Sequence, residues 1–195
     1  MSASDNKLTI DGLRGEAFDG FVTFEQLRKD ANAVPLTGGV YIVARQASDP
    51  PAFLAESCGG HFKGRNPTEL VDALESKWVP DAEVLYIGKG DVLRRRVKQY
   101  ASFGAGRPIG HWGGRYIWQL PDSDQLIVAW KACDVDETPG YLEGRLATRF
   151  KQIYGRLPFA NIVDPSGTRV AELDRGKPRP AVEDEPAIPE PLATV

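Results

Sequence analysis

Apolar residues along this chain change rhythm several times, and each change marks an element. Val40-Tyr41-Ile42-Val43, opened by Gly38-Gly39, and Val84-Leu85-Tyr86-Ile87, closed by Gly88, are short runs of β-branched and aromatic residues that predict strands. A third strand is predicted over 125–133, bounded by Asp122-Ser123-Asp124, and 115–120 is a possible further one after the glycine-rich loop 104–114. Helical spacing takes over elsewhere. Leu93, Val97 and Tyr100 mark the buried stripe of a helix over 92–100; Leu142, Leu146, Phe150 and Ile153 mark that of a helix over 140–154, which Gly155 ends. Thr23 followed by Gln26 is a capping-box pattern for a helix over 21–31. Asn66-Pro67-Thr68-Glu69 combines a capping residue, a proline suited to the first turn and a closing carboxylate, so a helix is predicted from there to about Trp78.

These elements add up to an α+β domain with a small, mainly antiparallel three-stranded sheet flanked by helices and a long insertion, 45–80, between the first two strands. The domain is expected to span 21–164. Before it, 1–20 is polar and expected to be flexible; after it, 165–195 is rich in Pro and Glu and too poor in apolar residues to fold.

Charge changes the picture more than composition does. A chain of 195 residues, 42% hydrophobic, has material for one core, and a net charge of −3 argues mildly against a nucleic-acid partner. The average hides an asymmetry. From Tyr86 to Trp118 the chain carries Lys89, Arg94, Arg95, Arg96, Lys98, Arg107 and Arg115 against the single acid Asp91. No apolar run is long enough for a membrane span and the first residues lack the pattern of a secretory signal, so a cytoplasmic protein without membrane contact is expected. Cys58 and Cys133 do not encode a disulfide framework. With His61 and His111 they make a formal zinc set, but their scatter lacks the paired spacing of zinc modules.

Two tyrosine strands would pair and bring Tyr41 and Tyr86 to one end of the sheet, which alone is the ordinary behaviour of a core tyrosine. The longer stretch around them is more specific. Tyr86-Ile87-Gly88-Lys89-Gly90-Asp91-Val92-Leu93-Arg94-Arg95-Arg96-Val97-Lys98-Gln99-Tyr100, preceded by Gly39-Val40-Tyr41, resembles in residue type and spacing the double signature of the GIY-YIG nucleases, a family with excision-repair, homing and restriction members. The resemblance extends to Arg96, ten positions after the second tyrosine, to Glu143 in Tyr141-Leu142-Glu143-Gly144-Arg145, and to Asn161 in Leu157-Pro158-Phe159-Ala160-Asn161. It covers about 38–161. Val40 stands in place of the usual isoleucine, the two tyrosines lie further apart than in compact members, and Tyr100 stands where many members have histidine.

The resemblance implies a GIY-YIG-like fold and a metal-dependent endonuclease acting on DNA, with one Mg²⁺ or Mn²⁺ held by Glu143. Arg96, permanently charged and forked, would brace the phosphoryl oxygens, and Asn161 would orient the metal site or the loop beside it. Tyr41 is the implied general base. A phenol titrating near 10 needs a depression of about 3 units, about 4 kcal/mol, to act at neutral pH; Lys89 is the candidate source, with hydrogen bonds from Tyr86. Arg94, Arg95, Lys98, Tyr100, His111 and Arg115 are candidate DNA contacts, although His111-Trp112-Gly113-Gly114-Arg115 reads equally well as a packed loop. A catalytically silent DNA-binding module and a protein-interaction domain are the competing readings, and monomer and homodimer stay open.

Overall fold

In the computed structural model, which describes residues 8–46 and 51–165, four strands form one antiparallel sheet in the order β1-β4-β2-β3. They are β1 (Asp19–Thr23), β2 (Gly39–Ala44), β3 (Val84–Gly90) and β4 (Ile127–Ala132). Every residue of β2 is buried, because this strand lies between two neighbours and beneath helices on both faces. That double cover explains its unbroken apolar run.

One face packs α2 (Phe24–Lys29), α4 (Leu93–Gly104) and a 3₁₀ segment, Trp112–Gln119, over Tyr41, Val43, Tyr86, Val128 and Trp130. The other packs α1 (Ile10–Gly15) and α5 (Pro139–Tyr154) over Val40, Ile42, Ile87 and Ala129. Alternate residues of β2 therefore feed two different cores. The expected helix signals are local and they hold: Thr23 and Gln26 close a capping box on α2, and Thr138 accepts from the Tyr141 N–H ahead of Pro139 on α5. Gly155 ends α5 in the left-handed conformation, φ 72°.

Four expectations are corrected. The sheet has four strands rather than three. The extra one, β1, occupies residues assigned to the start of a 21–31 helix; it is a bulged edge strand whose alternation is broken between Gly20 and Val22, with Phe21 at φ 54°, so no period-two pattern survives in its sequence. The N-terminal segment is not loose from residue 8 onward: Leu8, Leu13 and Phe18 are buried against the α5 face, and the Ile10 N–H donates to Glu83.

Residues 115–120 are not a strand: 115–119 belong to the 3₁₀ segment and Leu120 caps it, and the Gly114 kink and buried Trp118 follow no simple period. Finally, α3 (Val71–Lys77) begins later than the Asn66-Pro67 signal, because Asn66 turns to cap the Thr68 N–H locally and Glu69 is tied to Gln119 and Arg115. The remainder of the predicted tail, 166–195, and the first seven residues lie outside the described residues. Among those described, no helix is long and apolar enough to cross a membrane.

Candidate functional site

The site is built where the two cores meet at the outer edge of β3. β3 delivers Tyr86 and Lys89, α4 delivers Arg96 from one face of the sheet, and α5 delivers Glu143 from the other. These four line one open cavity of about 480 Å³ together with Arg95, Gln99 and Gly110. A second cavity of about 220 Å³ adjoins it, sharing Tyr86, Lys89 and Glu143 and extending past Asn161 to Val163. The two form a trough across the end of β3, with the shared residues at its waist.

Two glycines of the tyrosine strands are sterically required here. A Cβ at Gly88 would lie 2.6 Å from the phenol carbon and oxygen of Tyr41, since that ring crosses directly over the β3 backbone opposite its partner residue. At Gly90 a Cβ would meet the Arg96 side chain at 2.8 Å, so this glycine lets α4 turn back over the strand. β3 is an edge strand, and 160–161 cover its edge. The Ala160 N–H donates to the Leu85 carbonyl, while Asn161 both accepts from the Ile87 N–H at 2.9 Å and donates to the Ile87 carbonyl at 2.8 Å. Asn161 therefore acts on the site through the backbone between Tyr86 and Gly88.

Beneath the trough, Tyr41 is fully buried and lines neither cavity, so the phenol that reaches the open space is that of Tyr86. The Tyr41 hydroxyl shares a 2.7 Å hydrogen bond with His111 Nε2. In the tautomer with a bare Nε2 the phenol donates. The His111 ring stacks flat on Tyr100, with centroids 3.7 Å apart and planes at 7°, and Tyr100 in turn donates to the Gly114 carbonyl at 2.6 Å. The loop carrying His111 is thus anchored at both ends of one aromatic stack.

Burial dominates the titration of these groups. It raises the Tyr41 hydroxyl well above its usual range, reinforced by the neighbouring Tyr86 and opposed by the Arg96 charge. It raises Tyr86 too, with Arg96 again opposing. His111 moves the other way, well below 6.5, because burial and then the Arg96 charge both disfavour an imidazolium. Glu143 is raised to about 7 by desolvation, against the pull of Arg96. Its contact with Lys89 Nζ is loose, 3.6 Å, and does not offset the lost hydration.

Several expected roles change in consequence. Lys89 faces Glu143, and Arg96 is the cation that opposes the rise in the Tyr41 hydroxyl. Arg96 also donates to the Gly110 carbonyl at 3.2 Å. Of the candidate DNA contacts, Arg95 and Lys98 are exposed, and Arg95 lines the cavity. Arg94 instead holds the Val34 and Asn32 carbonyls. Tyr100 and His111 are wholly buried, and Arg115 is paired with Glu69 between the rings of Trp112 and Tyr116. Tyr100 and His111 offer no surface to a phosphate, and Arg94 and Arg115 have donors committed within the protein and line neither cavity.

For a divalent cation, the donor set is a single carboxylate. Among the described residues no group of three or more His, Cys, Asp and Glu converges. Glu143 nonetheless suits a hard ion that takes one protein ligand and fills its shell with water and phosphate oxygens. It is desolvated, and the Lys89 ammonium beside it already marks the position as one that favours positive charge. No family model, no curated protein and no solved structure matches this chain.

Proposed function

We propose that this chain is a metal-dependent endonuclease of the GIY-YIG type that hydrolyses DNA phosphodiesters. The observation that carries this reading is the convergence of Tyr86, Lys89, Arg96 and Glu143, brought from three elements, on one trough open to solvent. Hydrolysis needs a place for a phosphate, a counter to the charge that builds on it, and an acceptor for the proton of the attacking water. The trough has a candidate for each.

Arg96 braces the phosphoryl oxygens, with Arg95, the residue before it on α4, also lining the cavity. Glu143 would hold one Mg²⁺ or Mn²⁺, which when bound supplies charge neutralisation at the phosphate. As water attacks phosphorus, the bond to the 3′ oxygen breaks, leaving a 5′ phosphate and a 3′ oxygen that takes a proton from solvent. The water's proton enters the tyrosine pair at Tyr86. Tyr86 passes its own proton to Tyr41, and Tyr41 passes its own to His111 Nε2. Both phenols stay neutral throughout. A relay of this kind removes the need to ionise a phenol that burial holds well above neutral pH. His111 fits the last position because burial keeps it neutral with Nε2 on the Tyr41 hydroxyl, and its weak hold on the proton sends it back along the same hydrogen bonds once the product has left.

Plasmid cleavage in Mg²⁺ or Mn²⁺ tests the reading, comparing the wild type with Glu143→Ala and Arg96→Ala and sequencing the released ends. Cutting by the wild type alone supports it. The Lys89 contact with Glu143 favours a second reading, in which the ammonium takes the cation's place and the chain is a silent DNA-binding module. DNA binding by the wild type without cutting under any divalent ion would select that one.

A further inference from the structure

Cys58 and Gly60, within the 45–80 insertion, bond to the chain on either side of the loop that supplies His111. The Gly60 N–H donates to the Phe103 carbonyl at 2.8 Å and the Cys58 N–H to the Trp118 carbonyl at 3.0 Å. Neither 57–68 nor 92–121 contains an aspartate or glutamate, in a chain that is acidic overall. Within the first segment Phe62 and Arg65 form an isolated antiparallel bridge, with Lys63 at φ 53° and Gly64 at φ 73° between them. Two successive left-handed residues are what a tight two-residue hairpin tip demands. The hairpin holds out Lys63 and Arg65, both exposed, with exposed His61 and Arg107 nearby in the two segments.

This hairpin is registered to the trough. A Cβ on Gly110 would come within 3.2 Å of the Phe62 ring, so that ring rests on Gly110; Gly110 lines the cavity, and its carbonyl accepts from Arg96. The Arg65 guanidinium lies 4.5 Å over the Trp112 ring, which fixes its direction. We propose that the 61–65 hairpin is a finger that grips the backbone of duplex DNA beside the phosphate in the trough, and that Phe62, Gly110 and Arg96 hold its distance from that phosphate constant. This rests on the nuclease reading of the trough. A duplex is the partner the arrangement fits: cations on a tight hairpin tip, seated through Phe62 against the wall of a phosphate site, suit a polymer whose charges recur at fixed spacing, and backbone contacts of this kind set register on DNA.

The test is binding of a short fluorescent duplex to a Glu143→Gln chain across a salt series, with and without Lys63→Gln and Arg65→Gln together. Loss of two phosphate contacts should weaken binding by about tenfold and reduce the slope of log affinity against log salt by about 2. Lys63→Glu with Arg65→Glu should lose more. An unchanged affinity and slope overturn the proposal. So does an equal loss from Arg14→Gln with Lys77→Gln, which removes two cations outside these segments, or an equal loss on a single strand of the same length. Both hairpin side chains are exposed, so melting temperature serves as the folding control. A wild type that binds through the hairpin but never cuts a plasmid refutes the nuclease reading alone, whereas normal cutting and binding by the hairpin variant refute the finger alone.

Discussion

The two faces of the central sheet do different work, and β2 shows both. Val40 and Ile42 meet Leu142, Leu146 and Phe150 of α5 in a core whose buried members carry no polar side-chain atom. One residue along, Tyr41 enters a core that also holds Tyr86, Tyr100, Tyr116, Trp118 and Trp130. Burying an aliphatic side chain needs only area and fit, so that face tolerates exchange of shapes. Burying a phenol needs a partner for its hydroxyl, so each aromatic residue constrains the next. Tyr41 needs His111, His111 is held flat by Tyr100, and Tyr100 needs the Gly114 carbonyl. The aliphatic face asks only for area and fit; the aromatic face also fixes where each buried hydroxyl sits.

The sharpest contrast is between adjacent residues. Tyr41→Phe should reduce cleavage on the order of 10³-fold, with little change in melting temperature, since a proton carrier is lost and volume is kept. Ile42→Ala, from the aliphatic side, should cost about 2–5 kcal/mol of stability by leaving a cavity, yet cut normally per folded molecule. Cleavage assays alongside denaturant melts check both; full activity in Tyr41→Phe would remove the relay. Gly88→Ala should act on both scales, costing about 1–3 kcal/mol and much of the activity, because the new methyl group displaces the Tyr41 phenol.

Glu143 makes the stability of the fold depend on pH. Its carboxyl is raised to about 7 from an ordinary 4.5, so the folded chain without metal binds this proton more tightly than the unfolded chain does. The resulting stability is fully present below pH 4.5 and is lost as pH rises through about 7, on the order of 3 kcal/mol in all. Glu143→Gln should therefore melt higher than wild type at pH 8 in chelator, while stabilisation by Mn²⁺ should grow from pH 6 to 8 in the wild type and be missing from the variant. Equal melting of the two at pH 8 would mean that the carboxylate is better solvated than its surroundings indicate. The smallest expected effect is at Arg94→Gln. It should leave the salt slope of DNA binding unchanged, where Arg95→Gln lowers it by about 1, because only the first guanidinium is already committed to carbonyls within the protein.

Legibility in the sequence tracked the range of the interaction. β2, β3, α4 and α5 were readable because their signals repeat within a few residues, whereas Arg96 and Glu143 stood out on those helices only through the resemblance to the GIY-YIG signature. β1 was not, since its bulge destroys the alternation. The hairpin at Lys63-Gly64 carried no strong local signal, and its meaning depends on Gly110, nearly fifty positions away. Cap chemistry misled at Asn66, where a perfect local pattern lost to the pairing of Glu69 with Gln119 and Arg115. His111 was singled out as a candidate DNA contact, and nothing local marked it as the partner of a buried phenol.

The sequence by itself determined β2, β3, β4, α4 and α5, the order in which they run, the basic stretch in an acidic chain and the residue types able to meet a phosphate. These depend on neighbours close along the chain. Tertiary structure alone decided that Tyr86 rather than Tyr41 faces the trough, that His111 lies seventy residues from the hydroxyl it partners, and that Lys89 turns to Glu143. Which phenol is wet, which imidazole is neutral and which cation is already satisfied are questions of burial and distance, and burial is set by packing that no short stretch of chain contains.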